Sequence, residues 1–147
     1  MPRCSAAWRT ASGGSTTLPI ASLYATAVVR PRVVEVGCFN TNTTQTVAIA
    51  LRRLITSTGT RGTLQTPVFQ DDPEATTIQA QPYDTHTVAP TLAAGVIRQT
   101  TLAPYNGIIW TFQEPGLLIP AAAVNAIALV TATGTGSVCD VSFTWIE

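Results

Sequence analysis

The chain has 147 residues, of which 46% are hydrophobic and only 11% are charged, and its formal net charge is zero. Charged residues make up about 25% of a typical soluble domain, so much of this surface must be polar and neutral or covered by a partner. Zero net charge argues against a nucleic-acid binder, whose surface would be clearly basic. One histidine and no lysine argue against an enzyme, and we expect no catalytic residue.

The first 17 residues differ in composition from the rest. They are rich in Ser, Gly, Thr and Ala and contain the flexible pair Gly13-Gly14. We expect residues 1–17 to form an extended N-terminal arm and residues 18–147 to form a single domain. In one interpretation the arm docks on another chain, with Trp8 as its anchor and Arg3 and Arg9 as further partner-binding residues. In the other, the arm folds back on its own domain.

Apolar and polar residues alternate with a period of two from about residue 23 onward, which predicts β-strands. In the clearest strand, the last, Cys139, Val141, Phe143 and Trp145 would all face one way. Residues 126–130 are apolar at every position, which predicts a strand buried on both faces or pressed against a neighbouring subunit. Further strands are predicted over residues 23–29, 33–39, 47–55, 96–102 and 108–113.

Prolines lie between these runs or at their ends, and helix signals are almost absent. About eight strands without helical crossovers predict an all-β protein, an antiparallel β-sandwich that is jelly-roll-like. The pattern T-x-T-G-T occurs at residues 56–60 and 131–135 and predicts two turns; no helix or lysine follows, as a phosphate-binding loop would require. The longest apolar stretch, residues 117–130, is too short to span a bilayer, so we expect no membrane contact.

Few side chains suggest catalysis or metal binding. His86 lies near Asp84, but no nucleophile motif accompanies it, so we expect a loop histidine with ordinary hydrogen bonds. The only acidic cluster is formed by Asp71, Asp72 and Glu74, and its spacing lacks the pattern of a calcium loop, which favours a solvated loop.

The three cysteines, Cys4, Cys38 and Cys139, cannot all pair within one chain. The start MPRCSAAW has no apolar signal-peptide core, so we expect reduced thiols, with Cys38 and Cys139 acting as small core hydrophobes. No paired ligand spacing for zinc is present. We therefore predict no metal and no cofactor.

Four arginines carry half of the basic charge. Arg30 and Arg32 could lie near Arg52 and Arg53 across adjacent strands, and arginine is enriched at protein interfaces. These four residues are therefore either partner-binding residues or a scattered solvated surface.

The strand patterns resemble those of the head-decoration, or cement, proteins of tailed bacteriophages. The likeness is carried by residues 33–41 (VVEVGCFNT), by residues 107–112 (GIIWTF), and by the stretch from GLLIPA at residue 116 through Asn125 to Trp145. Such proteins show an apolar strand entry of the form IPA…N, a T-G-T-G turn and a last strand that ends in an aromatic and an acidic residue. The likeness covers roughly residues 30–147 and leaves the arm uncovered.

The resemblance implies a β-sandwich, usually trimeric, made in the host cytoplasm and bound to the outer surface of an icosahedral capsid. There it would bridge neighbouring major capsid proteins and stiffen the shell. An alternative is a carbohydrate- or receptor-binding module of a phage tail or fibre, in which exposed aromatic residues stack on sugars. The candidates for that role are Tyr24, Tyr83, Tyr105 and Trp110.

Overall fold

The computed structural model of the protein describes residues 1–71 and 77–147, which form eleven strands. None of these residues belongs to a helix long and apolar enough to cross a membrane. Eight strands have four or more residues, and three have two or three. In chain order they are β1 (Arg3–Arg9), β2 (Ala21–Tyr24), β3 (Arg32–Asn40), β4 (Val47–Ile55), β5 (Val68–Phe69), β6 (Gln81–Tyr83), β7 (Thr91–Leu102), β8 (Gly107–Thr111), β9 (Leu117–Leu118), β10 (Ala126–Thr133) and β11 (Cys139–Ile146).

The strands form two antiparallel sheets, which confirms the prediction of an all-β antiparallel fold consistent with a β-sandwich. The first sheet has the order β5-β1-β11-β3-β8, and β9 pairs with β3 beside β8. The second sheet has the order β6-β2-β10-β4-β7. The expected number of about eight strands is too low, because β5, β6 and β9 are short strands within connections that periodicity does not reveal.

The main core lies between the two sheets. Residues Cys139, Val141, Phe143 and Trp145 of β11 are buried in it, as the alternation predicts. Residues 126–130 of β10 are buried on both faces, which is also as predicted. The long connection from β4 to β7 covers part of the outer face of β10, where a second apolar cluster contains Tyr24, Leu54, Ala126 and Ala128. The second face of β10 is therefore covered by the chain itself.

The N-terminal segment is not a separate arm over its whole length. Residues Arg3–Arg9 form β1, which pairs with β11 on one side and with β5 on the other. Cys4 and Ala6 point into the core. Alanine has a low β-propensity and Arg3 and Arg9 are charged, so this strand lacks a clear sequence signal, and the boundary at residue 17 is wrong for its first part.

Two adjacent alanines test the integration of β1 into the sheet. Ala6 is buried opposite Phe143, whereas Ala7 is exposed on the outer face. We expect Ala6→Glu to lower the free energy of unfolding by more than about 3 kcal/mol, because it buries an unpaired carboxylate, and Ala7→Glu to change it by less than about 0.5 kcal/mol. Denaturant unfolding measures both. Equal stabilities would mean that residues 3–9 form a detached arm.

Candidate functional site

The sandwich has two ends with different chemistry. At the first, which we call the short-loop end, four connections come together: residues 10–20, 41–46, 103–106 and 134–138. The opposite end carries the connection between β2 and β3, the last residues of β4 and the connection between β9 and β10.

At the short-loop end, the side chain of Asn40 holds three of the four connections together. Its amide is 2% exposed, and its Nδ2 donates to the carbonyls of Gln45 at 2.8 Å and Ala103 at 3.3 Å. Its Oδ1 accepts from the backbone N–H of Asn42 at 3.1 Å and from the Ser137 hydroxyl at 2.9 Å. One buried amide therefore fixes the loops that follow β3, β7 and β10.

A second buried polar group, the carboxylate of Asp84, fixes the fourth connection. Its Oδ1 accepts from the indole N–H of Trp8 at 3.3 Å and from the backbone N–H of Ala11 at 3.1 Å. The Trp8 ring also lies 5.9 Å, centroid to centroid, from that of Phe143. The Trp8 ring is thus half-buried against its own domain, as expected if the N-terminal segment folds back on it, and its role as an anchor on a partner stays a prediction.

The connection between β7 and β8 is a tight turn that displays a tyrosine. Asn106 donates its backbone N–H to the carbonyl of Ala103 at 3.1 Å, with Pro104 and Tyr105 between them. Tyr105 has φ of +58° and is 71% exposed. This left-handed conformation favours glycine or asparagine and costs a bulky residue about 1–3 kcal/mol. The strained turn thus holds a largely exposed aromatic ring.

Tyr105 stands beside a row of side chains on the outer face of the first sheet. Arg9, Asp140 and Phe39 are neighbours across β1, β11 and β3, and the Phe39 ring lies over Gly107, where a Cβ would clash with it. The guanidinium of Arg9 forms a two-pronged ion pair with Asp140, at 2.7 and 2.9 Å, which lowers the pKa of Asp140. The predicted partner-binding residue Arg9 is thus charge-neutralised within its own sheet.

These residues line a hollow that continues into a second one. The first, of about 370 Å³, is lined by Arg9, Phe39, Asn40, Thr41, Tyr105 and Asp140. The second, of about 510 Å³, is lined by Thr41 together with Gly13, Asn42, Thr43, Gln45, Gly136, Ser137 and Val138. The two hollows adjoin at Thr41; the first has two aromatic residues in its lining, and the second is lined mainly by polar residues and glycines.

The opposite end of the second sheet presents exposed apolar side chains. Val28 is 79% exposed, Val88 55% and Ile55 41%. Three smaller residues are also exposed in the segments at this end: Ala27, Pro120 and Ala123. We call these six residues the apolar end. The segments that carry them, residues 25–31, 55–58, 87–90 and 119–125, contain one charged residue, Arg30.

Hydrogen bonds and a shared hollow connect these segments. Ala25 donates its backbone N–H to the carbonyl of Asn125 at 3.0 Å, which joins the first segment to the fourth. Thr91, which directly follows the third segment, donates its backbone N–H to the carbonyl of Ser57 in the second at 3.0 Å. Ile55 and Pro120 line one hollow of about 110 Å³. Ile55 and Pro120 therefore share one surface, and these hydrogen bonds hold the other segments next to theirs.

The other predicted partner-binding arginines lie on several elements. Arg30 is exposed at the apolar end, and Arg3 is exposed on β1. Arg32 and Arg52 do not lie on adjacent strands, because β3 and β4 belong to different sheets. The structure therefore does not place the four arginines across adjacent strands, although Arg53 binds the carbonyl of Leu118, the residue that pairs with Arg32.

Two of these arginines bind backbone carbonyls within the domain. Arg52 donates to the carbonyl of Ala93 in β7, and Arg53 donates to that of Leu118 in the other sheet at 2.8 Å. Both side chains are half-buried. Arg53 thus links the two sheets near the apolar end.

The only histidine belongs to the connection between β4 and β7. His86 is 2% exposed, and its Nε2 lies 3.0 Å from the Ser22 hydroxyl. Burial lowers its pKa from 6.5 to about 4, and the guanidinium of Arg61 acts in the same direction. Arg61 also stacks over the rings of Tyr24 and Tyr83, at 4.8 and 4.5 Å. His86 does lie in a loop, as expected, but that loop is buried against the second sheet.

The acidic cluster and the cysteines complete the predicted chemistry. Asp71 accepts a hydrogen bond from the backbone N–H of Arg3 at 2.9 Å, and Asp72 and Glu74 lie outside the described residues. Cys4, Cys38 and Cys139 are buried; the core positions of Cys38 and Cys139 agree with the prediction, and burial raises the pKa of Cys4 to about 11. Within residues 1–71 and 77–147, no group of three His, Cys, Asp or Glu side chains is arranged to hold a metal ion.

An isosteric change tests the role of Asn40. In Asn40→Asp a carboxylate replaces the donor that serves two carbonyls, so we expect the free energy of unfolding to fall by about 3 kcal/mol. Asn106→Asp makes the same change at an exposed side chain of the same end and should cost less than about 0.5 kcal/mol. Equal effects in urea unfolding would rule out the structural role of the Asn40 amide.

The buried histidine makes stability depend on pH. Its folded pKa, about 4, lies below the ordinary 6.5, so the unfolded chain binds the proton more readily between these values. Stability should therefore fall as the pH drops from 6.5 toward 4, by about 2 kcal/mol after solvent screening. Between pH 7 and 5, where most carboxylates stay ionised, His86→Gln should flatten the curve. An unchanged slope in this variant would contradict the assignment.

Comparison with known proteins does not assign the chain to a family. No protein-family model matches the chain, and no curated protein or solved structure is significantly similar to it. Its function is therefore argued from its two ends.

Proposed function

We propose that the sandwich is a jelly roll. Four strands of the first sheet follow the order β1-β11-β3-β8, and four of the second follow β2-β10-β4-β7. Each connection at the short-loop end runs from one sheet to the other, between β1 and β2, β3 and β4, β7 and β8, and β10 and β11. Two interlocked four-stranded sheets of this kind are found in jelly rolls, which occur in viral capsid proteins and lectins.

We further propose that the protein is a structural virion protein, a decoration subunit on the outer surface of an icosahedral phage capsid. The observation that carries this proposal is the apolar end, where Val28, Ile55 and Val88 are exposed in segments that contain only one charge. A large side chain such as Val28, 79% exposed, gains free energy when a partner covers it. The resemblance of the strand patterns to those of decoration proteins supports a capsid as the partner.

Decoration would stabilise the shell through mass action. A ligand that binds the assembled shell, and not its separated subunits, shifts the equilibrium toward assembly. Contacts to neighbouring major capsid proteins would bridge them, and repeated weak contacts add up through multivalency. Arg30, the one charged residue of the segments at this end, would select acidic groups on the capsid. A rigid, neutral sandwich suits this role.

We propose a homotrimer as the binding unit. The edge strands support self-association on one side of the sandwich. The edge strands there, β7 and β8, have twelve and five residues. On the opposite edges, β5 and β6 have only two and three. Proteins usually keep exposed edge strands short, because unpaired N–H and C=O groups attract other chains. Val96, exposed on β7, adds apolar surface to this edge.

Purified capsids lacking decoration test the proposal by co-sedimentation. Val28→Asp places a charge on the apolar end, and we expect it to weaken capsid binding by at least about tenfold. Val68→Asp is the matched control, because Val68 is also an exposed valine, at 55%, but lies on the edge strand β5 of the first sheet and outside the four segments of the apolar end. The control should bind like the parent protein.

Heat resistance of the decorated capsids gives a second readout, since bound subunits should raise the temperature at which shells open. Failure of the parent protein to bind at micromolar concentration would overturn the capsid proposal. Equal binding by Val28→Asp and Val68→Asp would keep the capsid as partner and reject the apolar end as its contact.

A further inference from the structure

We propose that the hollow at the short-loop end binds a neutral oligosaccharide, with the Tyr105 ring as the surface on which one sugar ring stacks. This inference does not rest on capsid binding, because it concerns the opposite end of the sandwich. It also differs from the sequence-based expectation of a sugar site. Of the four aromatic residues expected there, Tyr24 is buried, Tyr83 lies beneath Arg61, and Trp110 packs against the core.

The conformation of Tyr105 is the first argument. Its backbone lies in the left-handed region, and the Pro104-Tyr105-Asn106 turn would be relaxed by glycine or asparagine at that position. Tyrosine packs little of its ring there, since the side chain is 71% exposed. Because the strained backbone brings no gain in packing, it favours a role for the exposed ring in binding a ligand. Strained residues are concentrated at binding sites.

The surroundings of the ring are the second argument. Phe39 supplies another aromatic face, 43% exposed, in the same hollow. Arg9 and Asp140 neutralise each other, so the hollow favours neither an anion nor a cation. Arg9 uses Nε and Nη2 for this pair, which leaves Nη1 to donate to a hydroxyl, and the Asp140 oxygens can accept from others. Aromatic faces combined with planar polar groups match a neutral sugar, which has apolar ring faces and hydroxyl edges.

The rigidity of the walls is the third argument. Tyr105 donates its backbone N–H to the carbonyl of Asn42 at 3.3 Å, and the buried Asn40 side chain fixes the loops on both sides. Thr41 also donates its hydroxyl to the carbonyl of Val138 at 2.6 Å. A site built on fixed loops loses little conformational entropy on binding. Because the second hollow adjoins the first at Thr41, the two together offer room for a linear chain of several sugars.

Titration of the isotope-labelled full chain with neutral oligosaccharides tests the proposal by NMR. The probes are cellohexaose, chitohexaose, maltohexaose and mannohexaose, each up to about 5 mM, the range in which weak binding is measurable. We expect at least one of them to shift the backbone signals of Phe39, Thr41 and Tyr105 in a saturable manner. Tyr105→Phe should bind within about threefold of the parent, and Tyr105→Asn at least about tenfold more weakly.

The asparagine variant separates binding from folding. Asparagine tolerates the left-handed conformation, so the melting temperature of Tyr105→Asn should equal or exceed that of the parent, although binding is lost. No saturable shift with any of the four probes, or equal binding by Tyr105→Asn, would overturn the proposal. Loss of capsid co-sedimentation in Tyr105→Asn, without oligosaccharide binding by the parent, would show that the turn contacts protein and would overturn it as well.

Discussion

The short-loop end depends on one buried amide, the side chain of Asn40. Backbone carbonyls in connections need hydrogen-bond partners when they are buried, and Asn40 serves those of Gln45 and Ala103 from a position inside the sandwich. Its side-chain oxygen also accepts a hydrogen bond from the Ser137 hydroxyl, so one side chain fixes loops that are distant in sequence. Asparagine suits this position because a single planar group both donates and accepts. The geometry of the hollow beside Tyr105 follows from this amide.

The second sheet has a different constraint, because both of its faces need cover. Alanines of β10 and Tyr24 of β2 face away from the main core, and the connection between β4 and β7 shields them. Arg61 and His86 lie within that cover and place polar atoms beside the apolar cluster. The covering stops short of the strand ends, and Ile55 remains exposed at the end of β4. The apolar end is therefore the part of the sheet that the chain itself leaves uncovered.

The sequence allowed the fold class to be predicted, because alternation reveals strands such as β11 and continuous apolar runs reveal strands such as β10. It did not allow β1 to be predicted, since alanine and arginine give a weak strand signal that only pairing with β11 overrides. The roles of Asn40 and Asp84 depend on partners up to 97 and 76 residues away, so no local pattern could identify them. The position of Tyr105 in a turn could be predicted, because Pro-Tyr-Asn-Gly is a turn signal. Its positive φ could not be predicted from the sequence and is seen only in the structure.

The two ends of the sandwich differ, since one carries exposed apolar residues and the other a polar hollow with an aromatic rim. If the protein decorates a capsid, this difference determines which end faces the shell. Cryo-electron microscopy of capsids incubated with the purified protein measures that orientation directly. We predict sandwich-shaped density on the outer surface, with the segment around Val28 and Ile55 against the shell and the Tyr105 turn facing outward. Shells without added density, or density with the Tyr105 turn against the shell, would contradict the account.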